Sequence, residues 1–270
     1  MLIAMIEPTV ITFLGTGGGR FATIYQKRAT GGIYIQDSLN IHMDPGPGAL
    51  IRLLNAGLDP RSTNGILVSH AHPDHYGDAE ILLEGMTCGC TQKRGLLAGS
   101  KSVTKGDGNY GPAISLYHQT MIERLETVYP GNSFYFGDLE VKGGRTYHSD
   151  GSAVGFNLLT KNGQISYIPD TAYQEDLIED YKGARILIIS NTRPLHQPIP
   201  FHLATDESAK IIEAIGPEYA FLTHIGFKIA TNHPSREGEW ITEKTGIQTR
   251  TAEDNMKVIL SKEGVIVKGE

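Results

Sequence analysis

The strongest constraint on this chain is the run Ser69-His70-Ala71-His72-Pro73-Asp74-His75. It places three imidazoles and one carboxylate within a few positions, although the whole chain contains only 10 histidines. A short apolar segment over residues 66–69 precedes the run and predicts a strand that ends where the polar side chains begin. Such a density of imidazole and carboxylate groups indicates a metal site on a loop where the side chains converge.

The spacing within the run predicts two metal positions rather than one. His70 and His72 alternate along an extended backbone and can point to the same side. Asp74 and His75 follow the turn at Pro73 and reach a second point. Nitrogen and oxygen ligands at two nearby points suit a pair of divalent cations.

The charge of the chain limits its partners. The net charge is −6, the pI is about 5.9, and no run of Lys or Arg forms a basic stripe. We therefore expect no binding to duplex nucleic acid, which requires many phosphate contacts. A small anionic or ester substrate is compatible with this charge, because bound metal ions dominate the local field. The sequence leaves homo-oligomerisation open.

The pattern of the chain is that of an α/β protein. Short segments rich in Val, Ile, Tyr and Phe alternate with helical patterns, and no clean linker divides the 270 residues. Residues 1–8 are apolar but lack the features of a signal peptide, and no apolar run approaches the ~20 residues of a spanning helix. We expect a cytoplasmic protein without a membrane segment. Cys88 and Cys90 are poorly spaced for a relaxed disulfide and are expected to be free.

The pattern H-x-H-x-D-H, together with three later motifs, resembles the signature of the metallo-β-lactamase superfamily. The later motifs contain His148 in Tyr-His-Ser-Asp-Gly, Asp170 in Ser-Tyr-Ile-Pro-Asp-Thr and His224 in Phe-Leu-Thr-His-Ile-Gly. Their order and spacing fit over most of the chain. The resemblance implies a four-layer αββα sandwich, formed as a single domain over residues 1–270, with the metals at one edge of the two sheets.

The resemblance also implies a ligand set for two metal ions. The expected ligands are His70, His72 and His148 for one ion, Asp74, His75 and His224 for the other, and Asp170 as the bridge between them. Asp74 and Asp170 would also take part in catalysis. Zinc is the expected metal, and manganese and iron are left open.

Two further positions follow from the same resemblance. Asp44, in Asp-Pro-Gly-Pro-Gly, is similar to the D-x-G turn of the family and would accept hydrogen bonds that hold the histidine loop. His202, in Phe-His-Leu-Ala-Thr, precedes a predicted helix over Thr205–Ile215. In phosphodiesterase-type members, including tRNA-end-processing ribonucleases, a histidine at this place lies beside the metals. His202 would contact a substrate oxygen or protonate the leaving group.

The function that these features predict is metal-dependent hydrolysis. Two metal ions would lower the pKa of a shared water to near ~7, and the resulting hydroxide would attack a phosphorus or carbonyl centre. His202 and the short segment after His224 favour a phosphodiesterase. The alternatives are a thioester or lactone hydrolase and, more distantly, a β-lactamase. In other classes, a diiron redox protein and a non-catalytic metal-binding module are the alternatives.

Two segments outside these motifs carry expectations of their own. The segment Gly15-Thr-Gly-Gly-Gly-Arg20 predicts a glycine-rich turn near the active-site edge. Residues 93–111, from Lys93 to Gly111, are rich in Gly and Ser and predict a mobile surface flap beside the metals. Four other histidines are assigned structural roles, with His118 as a weak site candidate: His42, His118, His196 and His233.

Overall fold

The structure is a computed structural model that describes residues 7–268, so most of the apolar N-terminal stretch, residues 1–6, lies outside the described part. The strands in chain order are β1 Thr9–Phe13, β2 Ile33–Gln36, β3 Asn40–Met43, β4 Gly65–Val68, β5 Leu96–Gly99, β6 Arg124–Thr127, β7 Ser133–Phe136, β8 Leu139–Arg145, β9 Val154–Thr160, β10 Gly163–Ile168, β11 Ala184–Ser190, β12 Tyr219–Thr223, β13 Thr249–Thr251, β14 Lys257–Ser261 and β15 Gly264–Lys268. The α-helices are α1 Arg20–Tyr25, α2 Ala49–Asn55, α3 Pro73–Tyr76, α4 Ala79–Met86, α5 Lys101–Thr104, α6 Leu116–Thr120, α7 Ile178–Tyr181, α8 Thr205–Ile215, α9 Phe227–Ala230 and α10 Ser235–Thr245. Short 3-10 turns cover Pro60–Ser62 and Glu175–Leu177.

The strands form two mixed sheets. The order in the eight-stranded sheet is β15-β14-β1-β2-β3-β4-β5-β6, and in the seven-stranded sheet it is β13-β12-β11-β10-β9-β8-β7. Strands β3 to β6 are parallel to one another, and so are β10 to β13. The other pairs are antiparallel.

The main apolar core lies between the two sheets. Ile11 and Phe13 of β1 are fully buried there, with Ile186 and Ile188 of β11 and Phe221 of β12. Facing side chains from both sheets are removed from water together, and this burial is the main favourable term in folding.

Helices cover the outer face of each sheet. Leu53 of α2 and Leu83 of α4 pack on the eight-stranded sheet, while Ile212 of α8 packs on the seven-stranded sheet. Strand β11 is therefore buried on both faces, as its continuous apolar sequence predicts. The layers run helix, sheet, sheet, helix, so the predicted αββα sandwich is confirmed. No helix within residues 7–268 has the length and apolar character that a membrane crossing requires.

Strand direction places the motif residues at one edge of each sheet. Parallel β3 and β4 lead directly to Asp44 and to the histidine run. Strands β8, β10 and β12 run in the same direction, because β8 and β10 are each antiparallel to β9 and β10 to β12 are parallel. Their carboxyl ends lead to His148, Asp170 and His224. The carboxyl ends of parallel strands are where open α/β sheets commonly bind ligands.

The prediction of a surface flap over residues 93–111 is wrong for most of the segment. β5 is an internal strand between β4 and β6, and all four of its residues are buried. α5 follows, with Val103 in the core under the helical layer. The Gly and Ser content masked a short apolar strand whose side chains are buried on both faces of the sheet, Leu96 and Ala98 between the sheets and Leu97 under the helices. Residues 93–95 form a short connection before β5, and residues 105–111 form a loop that reaches the histidine cluster through Tyr110.

Candidate metal centre

All the predicted ligands meet at this edge of the sandwich. The groups whose donor atoms lie within 4.8 Å of one another are His70/His72/His148, His70/His75/Asp170, Asp74/His75/His224 and His148/Asp170/His202. The first and third groups coincide with the two expected coordination sets. The second group sets Asp170 between them, and the fourth adds His202.

In the first group, three imidazole nitrogens face one point. His72 Nδ1 lies 3.0 Å from His70 Nε2 and 3.1 Å from His148 Nε2. Two nitrogens bound to one tetrahedral zinc ion are separated by roughly 3.3 Å. The spacing is therefore close to that of three ligands around one cation.

The second group has the same character with one oxygen. His75 Nε2 lies 3.2 Å from His224 Nε2, and Asp74 Oδ2 lies 3.1 Å from His224 Nε2. Asp74 Oδ2 is 3.8 Å from His75 Nε2. The three donor atoms surround a second point that suits a cation with mixed N and O ligands.

Asp170 lies between the two groups and has an unsatisfied oxygen. Its Oδ2 is 3.4 Å from His75 Nε2, and its buried Oδ1 accepts no hydrogen bond from residues 7–268. His224 Nδ1 is 3.0 Å from Oδ1, but that nitrogen makes its hydrogen-bonding contact with Thr192 Oγ1 at 2.9 Å. A buried carboxylate oxygen without a donor is costly unless a cation is nearby. The donor set thus fits a pair of metal ions.

Each histidine of the cluster is held through its other nitrogen. These outer contacts are His70 Nδ1 to Ser69 Oγ at 2.9 Å, His72 Nε2 to Tyr110 Oη at 3.3 Å, His75 Nδ1 to Asp44 Oδ2 at 2.7 Å, His148 Nδ1 to the Phe201 carbonyl at 3.2 Å and His224 Nδ1 to Thr192 Oγ1 at 2.9 Å. A neutral imidazole that donates its only N–H outward keeps a lone pair on the inward nitrogen. Lone pairs converging on two points repel one another unless cations lie between them.

Asp44 organises the histidine loop as predicted. Its carboxylate accepts hydrogen bonds from Ser69 N at 2.7 Å, Ser69 Oγ at 2.6 Å and Tyr167 Oη at 2.8 Å. Because the Ser69 hydroxyl donates to Asp44, its oxygen accepts the Nδ1–H of His70. Asp44 therefore fixes the orientation of His75 directly and that of His70 through Ser69.

Burial sets the protonation of the first group. It lowers the pKa of His70 well below its ordinary value, lowers that of His72, and lowers that of His148 to about 4. Burial raises the pKa of Asp170, but His224 and His75 outweigh it and hold that pKa well below its usual range. Neutral imidazoles and an ionised carboxylate are the forms that bind metals.

The motifs did not reveal several residues that hold the cluster. Buried Asp150 accepts hydrogen bonds from Ala71 N at 3.0 Å, from Ser152 N at 3.0 Å and from Ser102 Oγ at 2.5 Å. It thereby joins the backbone between the first two histidines to the loop of His148. The only feature of the sequence that could have indicated this role is the position of Asp150 two residues after His148. A carboxylate at such a position is equally typical of a turn.

The glycine-rich turn lies against the second group, as predicted. Gly19 N donates to Asp74 Oδ2 at 2.8 Å and lies 3.1 Å from His224 Nε2. A Cβ on Gly18 would come within 1.9 Å of His224 Cδ2. Only glycine allows the chain to pass this close to the imidazole.

Gly18→Ala is expected to displace His224 and weaken metal binding by at least the ~10–100-fold that loss of a supporting contact costs. Gly151→Ala is the matched control, because within residues 7–268 no heavy atom beyond its own chain neighbours lies within 4 Å of a Cβ at that position. Competition with a chromogenic chelator measures the affinity of both variants. Equal affinity in the two variants would mean that the close approach at Gly18 does not matter.

His202 lies beside the cluster on the approach to α8. Its Nδ1 contacts the Pro200 carbonyl at 3.0 Å, and its Nε2 lies 3.7 Å from Asp170 Oδ2. It lines a cavity of about 540 Å³ together with His72, Asp74 and Asp170. The cavity gives a small molecule access to the cluster.

The remaining candidates lie outside this centre. His118 contacts Glu80 and Glu84, both at 3.2 Å, on the helical layer. His42 is buried, and its Nε2 contacts the Gly31 carbonyl at 2.7 Å. Both cysteines are free and half-buried.

An αββα sandwich with a His/Asp cluster at the carboxyl ends of its strands defines a metallohydrolase-type fold. The family model of the beta-lactamase superfamily domain matches residues 39–225. The chain belongs to the metallo-β-lactamase superfamily, whose members include metal-dependent hydrolases.

The relatives agree with this assignment. Protein MJ1374 of Methanocaldococcus jannaschii is 43% identical over 253 residues, which cover 93% of this chain and 94% of that protein. The metallo-beta-lactamase fold protein YhfI of Bacillus subtilis has a TM-score of 0.77 at 18% identity and covers 94% of this chain and 100% of its own. A diphosphatase from the PhnP family has a TM-score of 0.69 at 19% identity and covers 95% and 100%. At 18% and 19% identity, the two solved structures show that this chain shares their fold and show nothing about its activity.

Proposed function

We propose that this protein hydrolyses phosphodiester bonds in a small anionic substrate. The observation that carries the proposal is the wall of the cavity beside the His/Asp cluster. Arg20, Arg193 and Lys228 line it, and none of them forms a salt bridge within residues 7–268. Arg193 Nε donates to the Gln197 carbonyl at 3.1 Å, and Lys228 Nζ donates to Gln197 Oε1 at 3.2 Å, so the acceptors of both side chains are neutral.

Cations without carboxylate partners favour an anionic substrate. A phosphodiester brings one negative charge that such side chains and a metal pair attract together. A lactone is neutral and gains nothing from them. The PhnP-family diphosphatase, which has the same fold, also supports a reaction at phosphorus. The charge pattern therefore favours phosphodiester hydrolysis over lactone hydrolysis.

The proposed chemistry assigns a task to each side chain. The first cation would be held by His70, His72 and His148, and the second by Asp74, His75 and His224, with Asp170 shared. When bound, two zinc ions, or manganese or iron in their place, supply an activated water and polarise the phosphoryl group. The chain itself fixes the ligands through their outer hydrogen bonds and orients the substrate with its cations.

His202 would complete the reaction at the leaving group. Its Nδ1 contacts the Pro200 carbonyl, so Nε2 is the nitrogen that faces the cavity and Asp170. A proton on Nε2 would pass to the leaving oxygen as its bond to phosphorus breaks.

An activity screen tests the proposal. Zinc- and manganese-loaded protein would be assayed with bis(p-nitrophenyl) phosphate, a thioester and a lactone. We expect turnover of the phosphodiester and little of the other two, with a KM that rises in Lys228→Gln because the cavity loses one of the cations that line it. Faster hydrolysis of the lactone or the thioester would contradict the proposal.

A further inference from the structure

Helix α1 exposes an unusual amount of apolar surface. Phe21 is 67% exposed, Ile24 is 71% exposed and Tyr25 is 62% exposed, whereas Ala22 is the one buried residue of this six-residue helix. Isolated exposed apolar residues are ordinary, but a cluster of large ones next to a site indicates contact with a ligand or partner.

The helix is connected to the candidate metal centre at both ends. It begins directly after Gly19, whose N–H donates to Asp74 Oδ2. Near its C-terminal end, the Tyr25 ring packs on Phe227 with centroids 5.6 Å apart. Phe227 begins α9, which follows His224 closely in sequence. The exposed apolar residues of α1 are therefore held in place relative to Asp74 through Gly19 and relative to the segment after His224 through Phe227.

Phe21 is the exposed apolar residue of α1 that lines the cavity containing the cations. Phe21, Ile199 and Phe227 line the same cavity as Arg20 and Lys228, and we refer to these three apolar residues as the apolar wall. In sequence, Arg20 adjoins Phe21 and Lys228 adjoins Phe227. The two aromatic residues and the two cations thus line one cavity together with His72, Asp74, Asp170 and His202 of the cluster.

We infer that the cavity binds a phosphate ester whose organic group carries an aromatic ring, which packs on the apolar wall. The inference rests on the proposed function, since it places the phosphate at the His/Asp cluster. A ring gains contact area with Phe21 and Phe227 at low entropic cost, and offset or edge-on ring pairs are favourable. Arg20 and Lys228 hold the phosphate oxygens while the ring leaves water.

The apolar wall selects among substrates by contacting the organic group that does not react. An aliphatic ester would leave Phe21 and Phe227 exposed to water and would lose the apolar contribution. Aryl esters and nucleotides share the ring, and they differ in whether a sugar separates the ring from the phosphate.

Ligand binding tests the inference independently of turnover. Calorimetry on the metal-loaded protein would compare phenyl phosphate with methyl phosphate, and uridine 5′-phosphate with ribose 5-phosphate. We expect the ring-bearing ligand of at least one pair to bind about tenfold tighter or better. The pair with the larger ratio identifies the source of the ring. In Phe21→Ser that ratio should fall to about 1–3, the value left when most of the ring contact is lost.

Tyr135→Ser is the matched control, because Tyr135 is an exposed aromatic residue on β7 outside this cavity. It should keep the wild-type ratio. A ratio near 1 in the wild type, or an unchanged ratio in Phe21→Ser, would overturn the inference. So would a shift from dimer to monomer on sedimentation of Phe21→Ser with the ratio unchanged, because the surface would then be an interface between copies. A ring preference without cleavage of any phosphodiester would contradict the proposed function and support the inference.

Discussion

Asp170→Asn is expected to abolish measurable phosphodiester turnover and to reduce the metal content of the protein. The carboxylate lies between both ligand groups, and its buried Oδ1 has no donor within residues 7–268. An amide removes the negative charge and can turn an NH2 group toward the imidazole lone pairs. Loss of an outer partner typically costs ~10–100-fold, so loss of the shared carboxylate should cost more.

Asp180→Asn is the control for the loss of a hydrogen-bonded carboxylate. Asp180 accepts hydrogen bonds from Arg145 N and Nε, both at 2.8 Å, and belongs to none of the candidate ligand groups. This variant should keep its metal and its turnover at room temperature. If Asp170→Asn retained wild-type metal content and turnover, the assignment of Asp170 as the bridge would be wrong.

His202→Ala is expected to slow phosphodiester cleavage by ~10²–10⁴-fold, the usual contribution of a positioned acid. Metal content should stay near wild type, because both three-residue ligand groups remain complete. The loss should be smaller for a p-nitrophenyl leaving group, which departs readily without a proton, than for an alkyl leaving group. Steady-state kinetics with two such substrates measures this difference.

His118→Ala is the matched control, because that imidazole contacts Glu80 and Glu84 away from the centre. Its kinetics should equal those of the wild type. A wild-type rate in His202→Ala would leave His202 as a residue at the start of α8 without a catalytic task. Loss of metal in the same variant would make it a ligand, as its proximity to His148 and Asp170 allows.

The sequence predicted the αββα architecture, and it grouped the residues of the histidine run as candidate ligands. His70, His72, Asp74 and His75 adjoin one strand, so a local pattern was enough to group them. Their distant partners His148, Asp170 and His224 were predicted from the resemblance of their motifs to those of the metallo-β-lactamase superfamily. In the structure each of them follows the carboxyl end of a strand, where side chains of separate segments meet. Asp44 was predicted from the same resemblance, through its similarity to the D-x-G turn of the family.

The supporting contacts could not be read from local patterns. Tyr110 contacts His72, and Asp150 contacts the backbone of Ala71, across 38 and 79 positions of sequence. Neither residue type has a spacing that specifies such a partner. Their roles depend on how β5, α5 and the following loop pack beside the histidine run.

β5 and α10 are two of the elements that the sequence patterns did not predict, because their apolar signal is weak. β5 has only four residues, Leu-Leu-Ala-Gly, and lies among Gly and Ser residues that favour a loop. α10 buries only Gly238 and Ile241, and most of its other residues are polar. In both cases packing against the rest of the fold stabilises the element, although the intrinsic preferences of its residues do not predict it.

The number of metal ions per chain tests the account most directly. Elemental analysis of protein produced with ample zinc and manganese, alongside His72→Ala, gives this number. We predict two ions per wild-type chain and a loss of one or both in the variant, with a lower thermal stability because metal binding stabilises the folded state. Only trace metal in the wild type, or two ions retained in His72→Ala, would contradict the account.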